Sequence, residues 1–179
     1  MASGRLVVVG CGIELGRHIT QRALSEIQSA DCVFMLADAF AQQWLRSLRP
    51  DCRSLAGFYS ETKDRRQTYS EMEAEILSAV RSGQTVCAVF YGHPGVFAQV
   101  PHNAISIARS EGYPARMEAG ISAEACLYAD VGIDPGEHGV QSYEATRFLI
   151  SEYAVNPSAL LILWQVALSG NLDCIGFET

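Results

Sequence analysis

Uninterrupted apolar runs alternate along the chain with segments whose apolar residues recur at helical spacing. The runs at 5–9, 31–36 and 85–90 are apolar nearly throughout, which is typical of strands buried on both faces of a parallel sheet. A short strand is predicted at 115–117 and a strongly apolar one at 158–166. Because strands and helices alternate, we expect an α/β fold with a parallel sheet.

The helical segments follow these runs, and one long stretch shows neither helical spacing nor the apolar run of a strand. Helices are predicted at 19–27, at 39–48, from Ser70 onward and from Pro101 onward. Ser70 and Glu73 match the S-x-x-E capping box, which predicts that the third helix begins there. Residues 51–67 show no periodicity, so we expect a polar loop.

The stretch 134–139 is the clearest break in the pattern, because it reads Asp-Pro-Gly-Glu-His-Gly. We therefore predict an α/β domain over residues 1–133. Residues 134–179 are predicted to begin a second unit that this chain does not complete.

Charge limits the classes of partner. The net charge is −7, and the chain has a single lysine among its 13 basic residues, so a broad nucleic-acid surface is not expected. A small basic patch at Lys63, Arg65 and Arg66 is left open.

The six cysteines form no CxxC pair. Most lie in apolar runs, where a free cysteine behaves as a small hydrophobic residue. The histidines lack ligand spacing, so no metal site is predicted. The longest apolar run, 159–168, is too short to span a bilayer. We expect a reducing, cytoplasmic compartment without membrane association.

A first glycine turn follows the first strand. Gly10, Gly12 and Gly16 give G-x-G-x-x-x-G, one residue longer than the dinucleotide fingerprint. Asp38 ends the second strand and could bind a ribose hydroxyl, whereas Glu14 would repel a pyrophosphate. The pattern favours an adenosyl group without phosphates, and an ordinary tight βα turn remains the alternative.

Two further segments carry candidate chemistry. Residues 90–97 join a strand to a helix at the carboxyl ends of the strands, where ligands bind in α/β folds. His93 in this loop is either a base or a hydrogen-bond partner of backbone groups. Tyr59, Arg65 and Tyr69 concentrate two phenols and a guanidinium in the polar loop. A solvated loop is the alternative interpretation of that cluster.

Taken in order, residues 9–14, 91–97, 120–124 and 163–166 resemble a known family. They are similar to the tetrapyrrole methylase superfamily of S-adenosylmethionine-dependent methyltransferases. Within it they most resemble the borosin-type peptide backbone α-N-methyltransferases, in which the loop at 91–97 reads Y-G-H-P-G-V-F. Many corrin-type relatives have G-D-P there, so His93 speaks against a tetrapyrrole substrate.

The resemblance implies a class III methyltransferase fold, in which S-adenosylmethionine lies in a cleft between two α/β lobes. The second lobe is expected to be incomplete in this chain. Cofactor contacts are expected from Gly10, Gly12, Tyr91, Gly92, His93, Val96, Phe97, Ser122, Ala123 and Gln165.

The resemblance also implies the catalytic group Tyr59, Arg65 and Tyr69. An amide nitrogen is a poor nucleophile because its lone pair is shared with the carbonyl. One phenol is expected to accept the amide proton, while Arg65 and the other phenol hold the developing oxygen charge. Arg65 is expected to favour the phenolate form.

The implied partners are a precursor peptide supplied by another chain, as in split bacterial systems, and a second copy of the enzyme in an interlocked homodimer. Two other functions stay open. One is a tetrapyrrole (precorrin-like) C-methyltransferase. The other is a non-catalytic nucleotide-binding regulatory domain that uses the glycine turn at 10–16.

Overall fold

The structure is a computed structural model that describes residues 4–60 and 63–169. Its contacts divide the chain into two units, Met1–Cys126 and Leu127–Thr179. The predicted domain limits, 1–133 and 134–179, stay a prediction about the whole chain.

A five-stranded parallel sheet forms the centre of the first unit, as the apolar runs predict. In the order β3-β2-β4-β1-β5, the central pair β1 and β4 is in register over six residues each. The strands are β1 (Arg5–Gly10), β2 (Cys32–Leu36), β3 (Arg53–Ser54), β4 (Thr85–Phe90) and β5 (Ala115–Met117).

Helices cover both faces of this sheet. They are α1 (Gln21–Ser29), α2 (Ala39–Leu48), α3 (Arg65–Arg81) and α4 (Gln99–Ser110). Helix α5 (Ala123–Val131) contains the limit between the two units. Along β1, Leu6 and Val8 join the core under α3 and α4, while Val7 and Val9 join the core under α1 and α2. Because successive strand residues point to opposite faces, an all-apolar strand supplies both cores at once.

Helix α3 begins earlier than its capping pattern predicts, so the start at Ser70 is wrong. Asp64 caps the helix instead, and its side chain accepts a hydrogen bond from the Arg66 N–H at 2.7 Å. Glu73 is buried and accepts a hydrogen bond from Asn103 on α4 rather than reaching back to Ser70. Three residues predicted to lie in a loop, Arg65, Arg66 and Gln67, are therefore helical.

The stretch predicted as an irregular loop also contains other regular structure. Arg53–Ser54 pairs with β2, and Ala56–Phe58 forms a 3₁₀ turn. A two-residue strand and a single turn are too short to produce a periodic pattern, which explains why the sequence does not reveal them.

The second unit has a pair of parallel strands where the sequence predicts one. Its described elements are α6 (Pro135–His138), β6 (Val140–Glu144), α7 (Ala145–Ile150) and β7 (Leu160–Trp164), followed by a 3₁₀ turn at Val166–Leu168. Strand β6 reads Val-Gln-Ser-Tyr-Glu, which lacks the apolar run of a buried strand, so the sequence does not predict its pairing with β7. Trp164 on β7 donates a hydrogen bond to Ser142 on β6.

Four cysteines are buried in the first unit, as expected of small hydrophobic residues: Cys11, Cys32, Cys52 and Cys87. Burial raises the pKa of each of these thiols. Of the helices in residues 4–60 and 63–169, none has the length and hydropathy needed to cross a bilayer.

The buried Glu73 makes the stability of the fold depend on pH. Burial raises the pKa of its carboxyl, and the hydrogen bond from Asn103 opposes this. The folded state therefore holds this proton to higher pH than the unfolded chain, so its contribution to stability is lost as pH rises through the folded pKa. Glu73→Gln should raise the free energy of unfolding at pH 8 and have little effect at pH 4.

Urea denaturation followed by circular dichroism at the two pH values measures this difference. Glu75→Gln, at a less buried position of the same helix, is the matched control and should change neither value. An equal effect of Glu73→Gln at both pH values would contradict the assignment.

Candidate functional site

The carboxyl ends of β1 and β4 are joined by backbone hydrogen bonds beyond the sheet. The Cys11 N–H donates to the Phe90 carbonyl at 2.9 Å. Gly12 and Gly92 then exchange two hydrogen bonds, at 3.2 and 3.0 Å, in an isolated antiparallel bridge. The two glycine-rich segments singled out by the sequence thus form one structure, which we call the glycine bridge (residues 10–12 and 90–92).

Close backbone approach explains why glycine stands at these positions. A Cβ atom on Gly10 would lie 2.1 Å from the Gly92 carbonyl oxygen. A Cβ on Gly120 would lie 2.9 Å from that same oxygen, so the third motif segment reaches the bridge as well. Gly12 has a φ of 74°, in the left-handed region that favours glycine.

The loop after β4 presents apolar side chains to solvent. Tyr91, Val96 and Phe97 are each between 40% and 48% exposed, and Phe97 has a φ of 50°. His93 Nδ1 accepts a hydrogen bond from the Gly95 N–H at 3.0 Å. His93 therefore satisfies a backbone group of its own loop, which was the simpler of its two predicted roles.

A cleft of about 190 Å³ opens beside the glycine bridge. Its lining residues are Cys11, Gly12, Ile13, Leu15, Asp38, Phe40, Ala41 and Tyr91. Asp38 caps α2, and its Oδ1 accepts hydrogen bonds from the N–H groups of Phe40 and Ala41. Burial raises the pKa of the Tyr91 phenol, and the charge of Asp38 adds to the effect, so Tyr91 stays neutral.

The remaining predicted cofactor residues lie around α5 and after β7. Ser122 precedes α5, and its side chain accepts a hydrogen bond from the Ala125 N–H at 3.2 Å. Ala123 is the first residue of that helix. Gln165 belongs to the second unit, where it follows β7 with a φ of 58°.

Tyr59, Arg65 and Tyr69 come together from two elements. Tyr59 ends the 3₁₀ turn, and its N–H donates to the Ala56 carbonyl. Arg65 and Tyr69 lie four residues apart in the first turns of α3, which places them on one face of the helix. The side chains of Tyr59 and Tyr69 are hydrogen-bonded to each other, and the charge of Arg65 acts on Tyr59.

Arg65 favours the phenolate of Tyr59, as expected, but the arrangement as a whole favours the neutral phenol. Burial, the negative charge that Tyr69 can carry and the hydrogen bond to Tyr69 together raise the pKa of Tyr59 to about 12. Arg65 lowers this pKa, but by less than the other causes raise it. At pH 8 only about one Tyr59 side chain in ten thousand is ionised.

The structure adds a contact next to this cluster that the sequence did not predict. The Lys63 ammonium donates to the Phe58 carbonyl at 3.1 Å and to Glu71 Oε2 at 2.6 Å. Gln67 donates to the other Glu71 oxygen at 3.0 Å. Lys63 and Glu71 are eight residues apart and only Glu71 is on the helix, so no helical spacing signals the pair.

No metal site is found in this part of the chain. Among residues 4–60 and 63–169, no three His, Cys, Asp or Glu side chains are grouped so that they could hold a metal ion.

Comparison with known families places the chain. Residues 5–167 match the family of tetrapyrrole (corrin/porphyrin) methylases. The chain belongs to this family. The match runs from β1 to the turn after β7, so the similarity to tetrapyrrole methylases extends over residues of both units.

The names of curated relatives of this tetrapyrrole methylase combine a methyltransferase and a cyclic peptide precursor in a single protein. It is 46% identical over 172 residues to the methyltransferase and ribosomally synthesized type I borosin cyclic peptide precursor of Coprinopsis marcescibilis, covering 96% of this chain and 44% of that protein. It is 42% identical over 172 residues to the omphalotin A precursor of Omphalotus olearius, covering 96% and 41%. The chain thus spans less than half the length of these relatives. The predicted resemblance to the borosin branch is confirmed.

Solved structures support the same fold. The uroporphyrin-III-C-methyltransferase of Thermus thermophilus aligns with a TM-score of 0.68 at 17% identity, over 90% of this chain and 68% of that one. A cobalamin biosynthesis precorrin-6Y methylase from Archaeoglobus fulgidus aligns with a TM-score of 0.57 at 20% identity, over 80% and 65%. At such identities the likeness concerns the fold alone, and the predicted class III methyltransferase fold is confirmed.

The glycine bridge predicts a stability effect at Gly10. In Gly10→Ala the new methyl group meets a backbone carbonyl, which cannot move without separating the two strand ends. We expect a loss of about 3 kcal/mol in the free energy of unfolding, measured by urea denaturation.

Gly57→Ala is the matched control, because nothing lies within 4 Å of a Cβ at that position. It should leave stability nearly unchanged. Equal stability of the two variants would mean that the glycine bridge does not depend on close packing at Gly10.

Proposed function

We propose that this tetrapyrrole methylase is an S-adenosylmethionine-dependent methyltransferase that methylates backbone amide nitrogens of a ribosomally made precursor peptide. The observation that carries the proposal is the hydrogen-bonded pair Tyr59 and Tyr69 beside Arg65. The names of the relatives that are 42% to 46% identical, which combine a methyltransferase with a cyclic peptide precursor, support the substrate class.

The residues at the glycine bridge fit a cofactor that lacks phosphate groups. None of the eight residues that line the cleft is a lysine or an arginine, and the one charged residue among them is Asp38. This lining is unsuited to a pyrophosphate, which weakens the nucleotide-binding alternative. S-adenosylmethionine supplies an electrophilic methyl group on a positively charged sulfur.

We propose that the exposed apolar side chains of the loop after β4 pack against this cofactor. The full set of proposed contacts is Gly10, Gly12, Tyr91, Gly92, His93, Val96, Phe97, Ser122, Ala123 and Gln165.

The two phenols are proposed to have different roles. Tyr59 keeps its proton at neutral pH, so it can donate a hydrogen bond to the amide oxygen on which negative charge develops. Arg65 adds a positive charge on the same side. This leaves Tyr69 as the group that accepts the amide proton, directly or through water. Each positioned donor to the oxygen contributes about 3–4 kcal/mol to the rate in comparable sites.

Replacing either phenol should strongly reduce methylation of the peptide without weakening cofactor binding. We expect Tyr69→Phe and Tyr59→Phe each to lower methylation of a co-expressed precursor peptide by at least about 100-fold. Mass spectrometry of the peptide, counted in successive methyl increments, measures the effect. Calorimetric titration with S-adenosylhomocysteine should give the same affinity as for the unchanged protein.

Tyr113→Phe replaces a phenol in the loop between α4 and β5 and serves as the control, with unchanged methylation expected. Wild-type rates for Tyr69→Phe would rule out its role as proton acceptor. Tighter binding of NAD than of S-adenosylhomocysteine would favour the regulatory-domain alternative.

We also propose that the peptide can be supplied by a separate chain and that the enzyme acts as a homodimer, as the borosin resemblance implies. Methylation of a peptide expressed from a second gene tests the first proposal. Size-exclusion chromatography with light scattering tests the second, and a monomer at micromolar concentration would contradict it.

A further inference from the structure

We propose that Lys63 is a positioning residue that holds Tyr59 and Tyr69 in their hydrogen-bonded arrangement. The consequence for catalysis rests on the proposed function, whereas the structural role does not. Tyr59 ends a 3₁₀ turn and Tyr69 lies on α3, so their hydroxyl groups meet only if turn and helix keep a fixed relation.

The Lys63 ammonium connects the turn to the helix. It donates at 3.1 Å to the carbonyl of Phe58, the residue directly before Tyr59. It also donates at 2.6 Å to Glu71, two residues after Tyr69 on α3. One side chain thus ties the backbone that carries the first phenol to the helix that carries the second.

The glutamate end of this contact is itself held in place. Gln67 donates to the second oxygen of Glu71 at 3.0 Å. The hydrogen bond from Lys63 holds the pKa of the Glu71 carboxyl below its ordinary value, so the carboxylate stays charged throughout the neutral range. The Lys63 and Glu71 side chains are 24% and 34% exposed, so water surrounds neither of them completely.

A second ion pair on the same helix lacks this geometry. Arg81 at the end of α3 pairs with Glu111, which directly follows α4, at 2.5 Å. It is also a cation–carboxylate pair of a helix residue, yet it lies sixteen residues beyond Arg65 at the opposite end of α3. Arg81→Met is therefore a matched control for the loss of an ion pair from this helix.

Nuclear magnetic resonance of the full chain with tyrosine labelled at ¹³Cζ tests the role without any enzyme assay. Tyr59→Phe and Tyr69→Phe assign the two resonances. Lys63→Met should shift both of them, because the hydroxyl–hydroxyl bond loosens, and Arg81→Met should shift neither. Lys63→Arg, which keeps a donor of similar reach, should restore most of the original shifts.

Enzyme kinetics add the catalytic consequence. In Lys63→Met we expect kcat to fall about 10- to 100-fold while KM for the peptide stays nearly the same, since orientation and not substrate affinity is lost. If the chain methylates no peptide, the proposed function fails, and the resonance test still decides the positioning role.

Two results would overturn the proposal. One is a folded Lys63→Met variant whose Tyr59 and Tyr69 resonances are unchanged. The other is an equal shift in Lys63→Met and Arg81→Met, which would mean that loss of any ion pair on α3 perturbs the cluster. Should Lys63→Met not fold, Glu71→Gln replaces it, with the same two resonances expected to shift and the same outcomes counted against the role.

Discussion

Two reciprocal backbone hydrogen bonds between Gly12 and Gly92 hold together the part of the molecule on which the rest of the site depends. They continue the pairing of β1 and β4 beyond the ends of the sheet, so the loops after both strands leave from one fixed point. A side chain at Gly10 has no room there, because its Cβ would lie 2.1 Å from a carbonyl oxygen. Backbone contact thereby shapes the cleft that borders the bridge, and the side chains around it only line it.

The chemical groups are held in a different way. Tyr59 comes from a 3₁₀ turn, and Arg65 and Tyr69 come from a helix whose start is set by Asp64. No sheet register joins these elements, so side-chain contacts must keep them together. The contacts of Lys63 with the Phe58 carbonyl and with Glu71 are of that kind.

The hydrogen bond between the phenols has an electrostatic consequence that separates their roles. It adds to the effect of burial and raises the pKa of Tyr59 to about 12, despite the opposing charge of Arg65. A phenol that keeps its proton is a hydrogen-bond donor at neutral pH. In the proposed mechanism Tyr59 is therefore the donor to the amide oxygen, and Tyr69 is the proton acceptor.

The amino-acid sequence alone is enough to establish the parallel α/β fold, the two glycine segments at the strand ends and the membership in a methylase family. Apolar runs and glycines at close contacts leave direct patterns, because burial and steric exclusion act at single positions. Three features emerge only in the folded chain: α3 begins at Arg65 rather than Ser70, β6 pairs with β7, and Tyr59 stays protonated. Helix α3 begins early because Asp64 caps it. The strand pairing and the protonation of Tyr59 depend on partners distant in the chain or on burial, and these leave no local period. The capping pattern at Ser70 predicts the wrong helix start for the same reason, since Glu73 accepts its hydrogen bond from Asn103 on another helix.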